Sequence, residues 1–292
     1  MFRITGLLFL TLLCVLPCPL QGQSLNTSAL DQALGRSGQK TGEVYKVPFP
    51  RTDLHVSVHG LAIKPGLALG SWAAFMGTDD DAMVMGDLVL LEEELNPVMD
   101  KLRSSGFEIT AVHNHLIDET PHVLYMHYMG HGPATQLAVS LKAALAASKT
   151  PMEKAASAAT NESAPAWVQI VEDTVGRKGS FKGGVLSYGV PRSDEITMSE
   201  MTITPAAGVA EAVNFQDAGS GEVATTGDFV LTAAEVNPVL SELRTHGIEV
   251  TALHSHMLTE DPRLFFMHFW AVGYPQAVGA GIKAALSRVS VK

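Results

Sequence analysis

The chain states one pattern twice, and that repetition limits its possible folds more than any other feature. Residues 107–129 read FEITAVHNHLIDETPHVLYMHYM, and residues 248–270 read IEVTALHSHMLTEDPRLFFMHFW, 141 positions further on. Pro50-Arg51-Thr52-Asp53 recurs as Pro191-Arg192-Ser193-Asp194, and Gly86-Asp87-Leu88-Val89-Leu90 as Gly227-Asp228-Phe229-Val230-Leu231. Glu94-Leu95-Asn96-Pro97-Val98 likewise returns as Glu235-Val236-Asn237-Pro238-Val239. Shared strand propensity does not reproduce that much identity; the chain is a duplication. Two copies with equal surfaces pack as subunits do, about a pseudo-twofold axis.

Each copy reads as a short helix, several strands, an amphipathic helix, two strands and a closing helix. Residues 92–105 carry acids at the start, Lys101 and Arg103 at the end, and an apolar stripe of Leu95, Val98, Met99 and Leu102. Gly106 terminates that helix. Residues 55–62 alternate as one strand with His55 and His59 on one face, and 107–116 form another. Gly86-Asp87 and Gly227-Asp228 interrupt apolar strands and mark a bulge or a close approach. Helices segregated from a mostly antiparallel sheet define an α+β fold in each unit. The expected division is a leader over 1–23, a first repeat over 24–148, a linker over 149–166 and a second repeat over 167–292.

The leader has Arg3 ahead of the apolar run 6–16, then small and polar residues, as in a secretory signal. The run is too short to span a membrane comfortably. This places the protein in the periplasm or outside the cell. Pro17 before Cys18 spoils a lipoprotein box and disfavours lipid anchoring. Both cysteines, Cys14 and Cys18, lie in the leader, so a mature chain has no thiol for catalysis or metal binding. A net charge of −10 opposes a sequence-independent grip on nucleic acid and leaves a small polar molecule or a cation as partner.

The chemistry concentrates on histidine. Residues two apart on a strand face the same side, so His113 with His115, and His254 with His256, converge. A neighbouring strand can bring His127 or His268 into the same space. Three imidazoles with an open position make a site for a divalent transition metal, Zn, Cu, Mn or Fe. Asp87 and Asp228 are expected to ligate the ion or orient an imidazole. Glu119 and Glu260 are candidate general bases if the site is catalytic, and Arg51 and Arg192 are either clasps for an anionic ligand or structural partners of a neighbouring aspartate. Extra histidines in the first copy, His122 and His131, favour His113, His115 and His127 if only one half is active.

The motifs Arg-x-Asp, Gly-Asp followed by apolar residues, Glu-x-Asn-Pro-Val and Thr251-Ala252-Leu253-His254-Ser255-His256, with Phe266-Met267-His268-Phe269-Trp270, resemble the LppY/LpqO family. The resemblance covers nearly the whole mature chain and implies a bacterial exported protein, sometimes a lipoprotein, without an assignable activity. The leading expectation is an exported metal-binding protein. The alternatives are a metal-dependent hydrolase, a metal-independent binder of a small polar or anionic ligand, and a structural envelope protein.

Overall fold

A computed structural model describes residues 24–153 and 162–292. The expected leader, with Cys14 and Cys18, and the middle of the expected linker lie outside the described residues. The first unit runs α1 (Thr27–Leu34), β1 (Gln39–Thr41), β2 (Val44–Pro50), β3 (Ser57–Val58), β4 (Leu61–Ala62), α2 (Pro65–Ala68), β5 (Gly70–Gly77) and β6 (Ala82–Leu91). It continues with α3 (Glu92–Ser104), β7 (Glu108–His113), β8 (Glu119–Thr120), β9 (Val123–Gly132) and α4 (Ala134–Leu145). The second unit begins with α5 (Ala166–Val175), β10 (Ser180–Lys182), β11 (Val185–Pro191), β12 (Ile196–Met198), β13 (Met201–Ile203) and a 3-10 turn at Pro205–Ala207. It ends with β14 (Ala210–Gly219), β15 (Glu222–Thr232), α6 (Ala233–Thr245), β16 (Glu249–His254), β17 (Leu264–Gly273) and α7 (Pro275–Leu286).

Each unit builds one six-stranded antiparallel sheet, in the order β1-β2-β5-β6-β9-β7 and its counterpart β10-β11-β14-β15-β17-β16. The helices of each unit cover one face. Leu30, Leu34, Val98, Leu102, Leu137 and Leu141 pack on Val47, Phe75, Leu88 and Met126 in the first unit, and the second repeats the arrangement. The other faces meet each other. Met83, Met85 and Val44 share a core with Val230, Phe266 and Ile203, while Val89 and Tyr125 share one with Ala224 and Trp270. The result is four layers, helix–sheet–sheet–helix, and it explains why β6 reads as a nearly unbroken apolar run: both faces are buried.

Asp87 stands on the inter-sheet face of that strand, so its place in an apolar run is not accidental. The register through β5 and β6 is continuous at Gly86, so the glycine marks a close approach and not a bulge. A Cβ there would lie 2.2 Å from the Trp72 carbonyl oxygen and 2.5 Å from the Tyr128 hydroxyl. The register shifts fall elsewhere, between Ile109 and Ala111 in β7, between Val250 and Ala252 in β16 and between Asp217 and Gly219 in β14.

Two expectations are corrected. Residues 55–62 are not one strand: β3 and β4 form a hairpin whose turn residues, His59 and Gly60, have φ of 49° and 84°, as a tight primed turn needs. His55 and His59 are exposed there and join no ligand cluster. Strand β7 stops at His113, so His115 lies in the following loop.

Of the two sequence readings of Arg51 and Arg192, a clasp for an anionic ligand and structural pairing with aspartate, the structure shows the pairing, and each arginine also pins its sheet to its amphipathic helix. Arg51 is fully buried and donates to Glu94 and to the Val89 carbonyl, both at 2.7 Å, and it pairs with Asp53 at 2.9 Å. Arg192 pairs with Glu235 at 2.9 Å and with Asp194 in the same way. The Arg51 nitrogens are committed to internal carboxylates and a carbonyl, as are both terminal nitrogens of Arg192, whose Nε is buried without a partner. Replacing Arg51 with Ala strands the Glu94 carboxylate in the interior. Urea denaturation is expected to show a loss of about 3–5 kcal/mol, and a loss below about 1 kcal/mol would contradict this role.

Candidate metal centre

Sheet register places the aspartates beside the histidines. Asp87 on β6 sits opposite His127 on β9, and Asp228 on β15 opposite His268 on β17, all facing the other sheet. His113, at the end of β7, is opposite Tyr125, and His254 opposite Phe266. The loops after β7 and β16 then return His115 and His256 to the same space.

The sequence suggested two separate triplets. The structure brings all six rings into one cluster on the pseudo-twofold axis. His113 stacks on His254 with centroids 3.6 Å apart. His115 stacks on His268 at 3.7 Å, and His127 on His256 at 3.6 Å, which is the same contact seen from the other unit. The outer faces are closed by Tyr125 against His115 at 3.4 Å and by Phe266 against His256 at 3.5 Å. Every close histidine pair therefore takes one ring from each unit. The Thr251 hydroxyl also donates to the His115 carbonyl across the interface at 2.6 Å.

Two ligand groups emerge: His113, His115 and His127, and His113, His254, His256 and His268, with one nitrogen per residue within 4.8 Å of the others in each group. Tetrahedral coordination at about 2.0–2.1 Å spaces ligand atoms roughly 3.3 Å apart, so small ring rotations close either set. The tautomer is fixed in the innermost pair. His268 Nδ1–H donates to the Gly227 carbonyl at 2.9 Å, and His127 makes the equivalent bond to Gly86. That leaves each Nε2 as a lone-pair donor facing the cluster.

These lone pairs have no partner within the protein. Among the described residues, Nε2 of all six histidines and Nδ1 of His113 and His254 are buried without a hydrogen bond, as are one oxygen each of Asp87 and Asp228. Asp87 lies 3.7 Å from His115 and 3.9 Å from His127, and Asp228 lies 3.5 Å from His256 and 3.9 Å from His268. Such separations are too long for good hydrogen bonds; those to Nε2 of His115, His127 and His256 are ones a metal ion could bridge, whereas the His268 contact is to the Nδ1 already committed to the Gly227 carbonyl.

Burial is the first cause of every shift here. It holds all six imidazoles below their ordinary pKa, with further depression from neighbouring rings for five of them; His254 falls to about 4. Burial pushes Asp87 up to about 7, against the opposing pull of Lys46, and pushes Asp228 well above the carboxylate range. The cluster thus presents neutral imidazoles, the ligating form.

Glu119 and Glu260 do not reach the cluster. Glu119 accepts from the Val123 amide at 3.3 Å and pairs with His122 at 2.7 Å; Glu260 accepts from the Leu264 amide at 2.9 Å and pairs with Arg263. Each closes its own loop, so neither stands where a general base would act on a substrate at the histidines. Sequence reading missed Lys46, Trp72, Tyr125 and Phe266. The period-2 relation of Tyr125 to His127, and a lysine inside the apolar strand VYKVPFP, were the available signals.

A sequence-family profile described as Domain of Unknown Function (DUF1259) matches residues 28–147 and again 169–288. The chain belongs to that family. The finding corrects the resemblance drawn from the short motifs, since the family matched over both repeats is DUF1259 and not LppY/LpqO. A search of curated proteins finds no match. Among solved structures, a trimeric bacterial microcompartment shell protein, PduB, aligns at 12% identity over 87% of this chain and 89% of its own, with a TM-score of 0.22. EtuB from Clostridium kluyveri aligns at 9% identity over 86% and 90%, with a TM-score of 0.20. Likenesses that weak decide nothing about this DUF1259 protein.

The cluster predicts an acid-sensitive fold. Unfolded histidines take up protons as pH falls through about 6.5, while the folded rings resist until well below it. The stability they provide is present above that pH and lost beneath it. Asp87, Asp228 and Glu211, whose folded pKa values are raised, act in the opposite sense as pH rises from the carboxylate range. The six imidazoles outnumber them, so metal-free protein is expected to lose stability from pH 7 to pH 5, by about 1.4 kcal/mol per pH unit for each net proton. Urea midpoints that stay flat over that interval would count against buried neutral rings.

Proposed function

We propose that this is an exported protein that binds a divalent transition metal at the shared six-histidine cluster. One observation carries the reading: converging imidazole nitrogens and aspartate oxygens, buried and unpaired, at the meeting point of two sheets. Buried polar groups without partners cost about 1–3 kcal/mol each, and a structural role alone gives no return for gathering them. A cation bound by N and O ligands satisfies them together. The two ligand groups share His113, and a neutral imidazole offers one lone pair, so the groups are alternative sites for a single ion. Nitrogen-rich ligation favours Zn, Cu or Fe, and aspartate participation extends the set to Mn.

A metal-dependent hydrolase is a second reading, and one observation favours it. A cavity of about 290 Å³ is lined by His115, His127, His256, His268, Asp87 and Asp228, so a small molecule in it meets the ligand wall. A bound ion there would supply Lewis acidity or an activated water. Periplasmic or secreted placement rests on the leader, and the mature N-terminus read by Edman sequencing near Ser24 would support it. No helix among the described residues is long and apolar enough to cross a membrane.

Elemental analysis of untagged protein, purified and then resupplied with Zn, Cu, Mn and Fe, is the direct test. Stoichiometric metal is expected, with loss of at least tenfold in affinity in His113→Ala/His115→Ala, which removes ligands from both groups, and a smaller loss in His254→Ala/His256→Ala, which leaves His113, His115 and His127 in place. Metal retained fully by the His113→Ala/His115→Ala variant, or absent from the parent, refutes the reading. Turnover on a panel of esters, amides and glycan acetates, abolished by chelation, separates catalysis from simple binding.

A further inference from the structure

The histidines that line the cavity obey the pseudo-twofold, but the flank beside them on the first unit's sheet does not. Lys46 on β2 and Trp72 on β5 line it from the first unit. The aligned positions in the second unit are Ser187 and Ala212, so the cation and the indole occur once. The Lys46 ammonium lies 3.8 Å from the centroid of the Trp72 ring, a cation–π contact that holds it in place. No ion pair among the described residues engages it. The lining runs from the buried histidines to exposed Gly66 and Gly70, which mark the mouth.

We propose that Lys46 receives the carboxylate of a small organic monoanion that enters this cavity and extends toward the histidine centre. The inference rests on the cavity's proximity to the proposed metal site, though the lysine contact stands without an ion. Burial lowers Lys46 to about 8, with Asp87 opposing the fall, so the side chain is mostly cationic at neutral pH. A single ammonium, with Asp87 beside Trp72 on the same sheet, Asp228 also in the lining and no arginine there, suits one negative charge better than a phosphate dianion. The volume of about 290 Å³ lies at the bottom of the range for organic-ligand pockets and limits the occupant to a small molecule.

Calorimetric titration with acetate and benzoate, against acetamide, benzamide and inorganic phosphate, tests this on the full protein in metal-loaded and chelated forms. The carboxylates are expected to bind and the neutral amides to fail. Lys46→Met should weaken benzoate at least about tenfold, while Lys46→Arg retains it and both keep the parent's metal content. Lys46→Met removes a charge with no ion-pair partner and keeps the stem against Trp72, so its melting temperature should not fall. If it does fail to fold, retention of benzoate by Lys46→Arg together with loss in Lys46→Gln carries the same decision. Unchanged benzoate binding in a folded Lys46→Met or Lys46→Gln variant, equal binding of benzamide, or tighter binding of phosphate overturns the proposal. Lys46-dependent benzoate binding in a protein that takes up no metal supports it and sinks the metal reading alone.

Discussion

The structure depends on two sheets burying their inner faces against each other. That contact is mostly apolar, through methionines and aromatic residues at one end and valine, tyrosine and tryptophan at the other. It is interrupted at its centre by a cluster of histidines and aspartates, which would cost the fold dearly as an isolated patch of unpaired groups. The surrounding apolar contacts hold the rings together, and the backbone carbonyls of Gly86 and Gly227 choose the tautomers of His127 and His268. The glycines serve the site twice, because a side chain there would also displace the neighbouring strand.

Much of the fold was legible. The duplication, the helix over residues 92–105 and the α+β character follow from periodicity and repeated identity. The convergence of His113 with His115, and of His127 beside them, was legible from spacing and strand pairing. Cross-strand placement of Asp87 beside His127 needed the register, which no local pattern supplies. The union of two triplets was hidden for a different reason: it depends on which face of each sheet meets the other unit, and β6 is apolar on both. Arg51 and Arg192 stayed ambiguous because an arginine beside an aspartate reads alike as a ligand clasp or an internal brace; Glu94, buried, and Glu235, half-buried, decide between them.

Departure from symmetry is concentrated away from the rings. His122 becomes Arg263, yet both engage the loop glutamate. Tyr125 becomes Phe266, yet both stack on a histidine. These exchanges preserve the geometry of the cluster while its surroundings diverge. Lys46 and Trp72 have no such counterparts, which is why the cavity and not the histidine set distinguishes one unit from the other.

The stacking of each close ring pair across the unit boundary has a consequence for ancestry. A single-copy chain could form the full six-ring cluster only as a homodimer, with His113 facing its own symmetry mate. Fusion of the two copies makes that encounter independent of protein concentration. It also freed each copy to change alone. The lone lysine at the cavity is the kind of change that a strict homodimer cannot make on one side only.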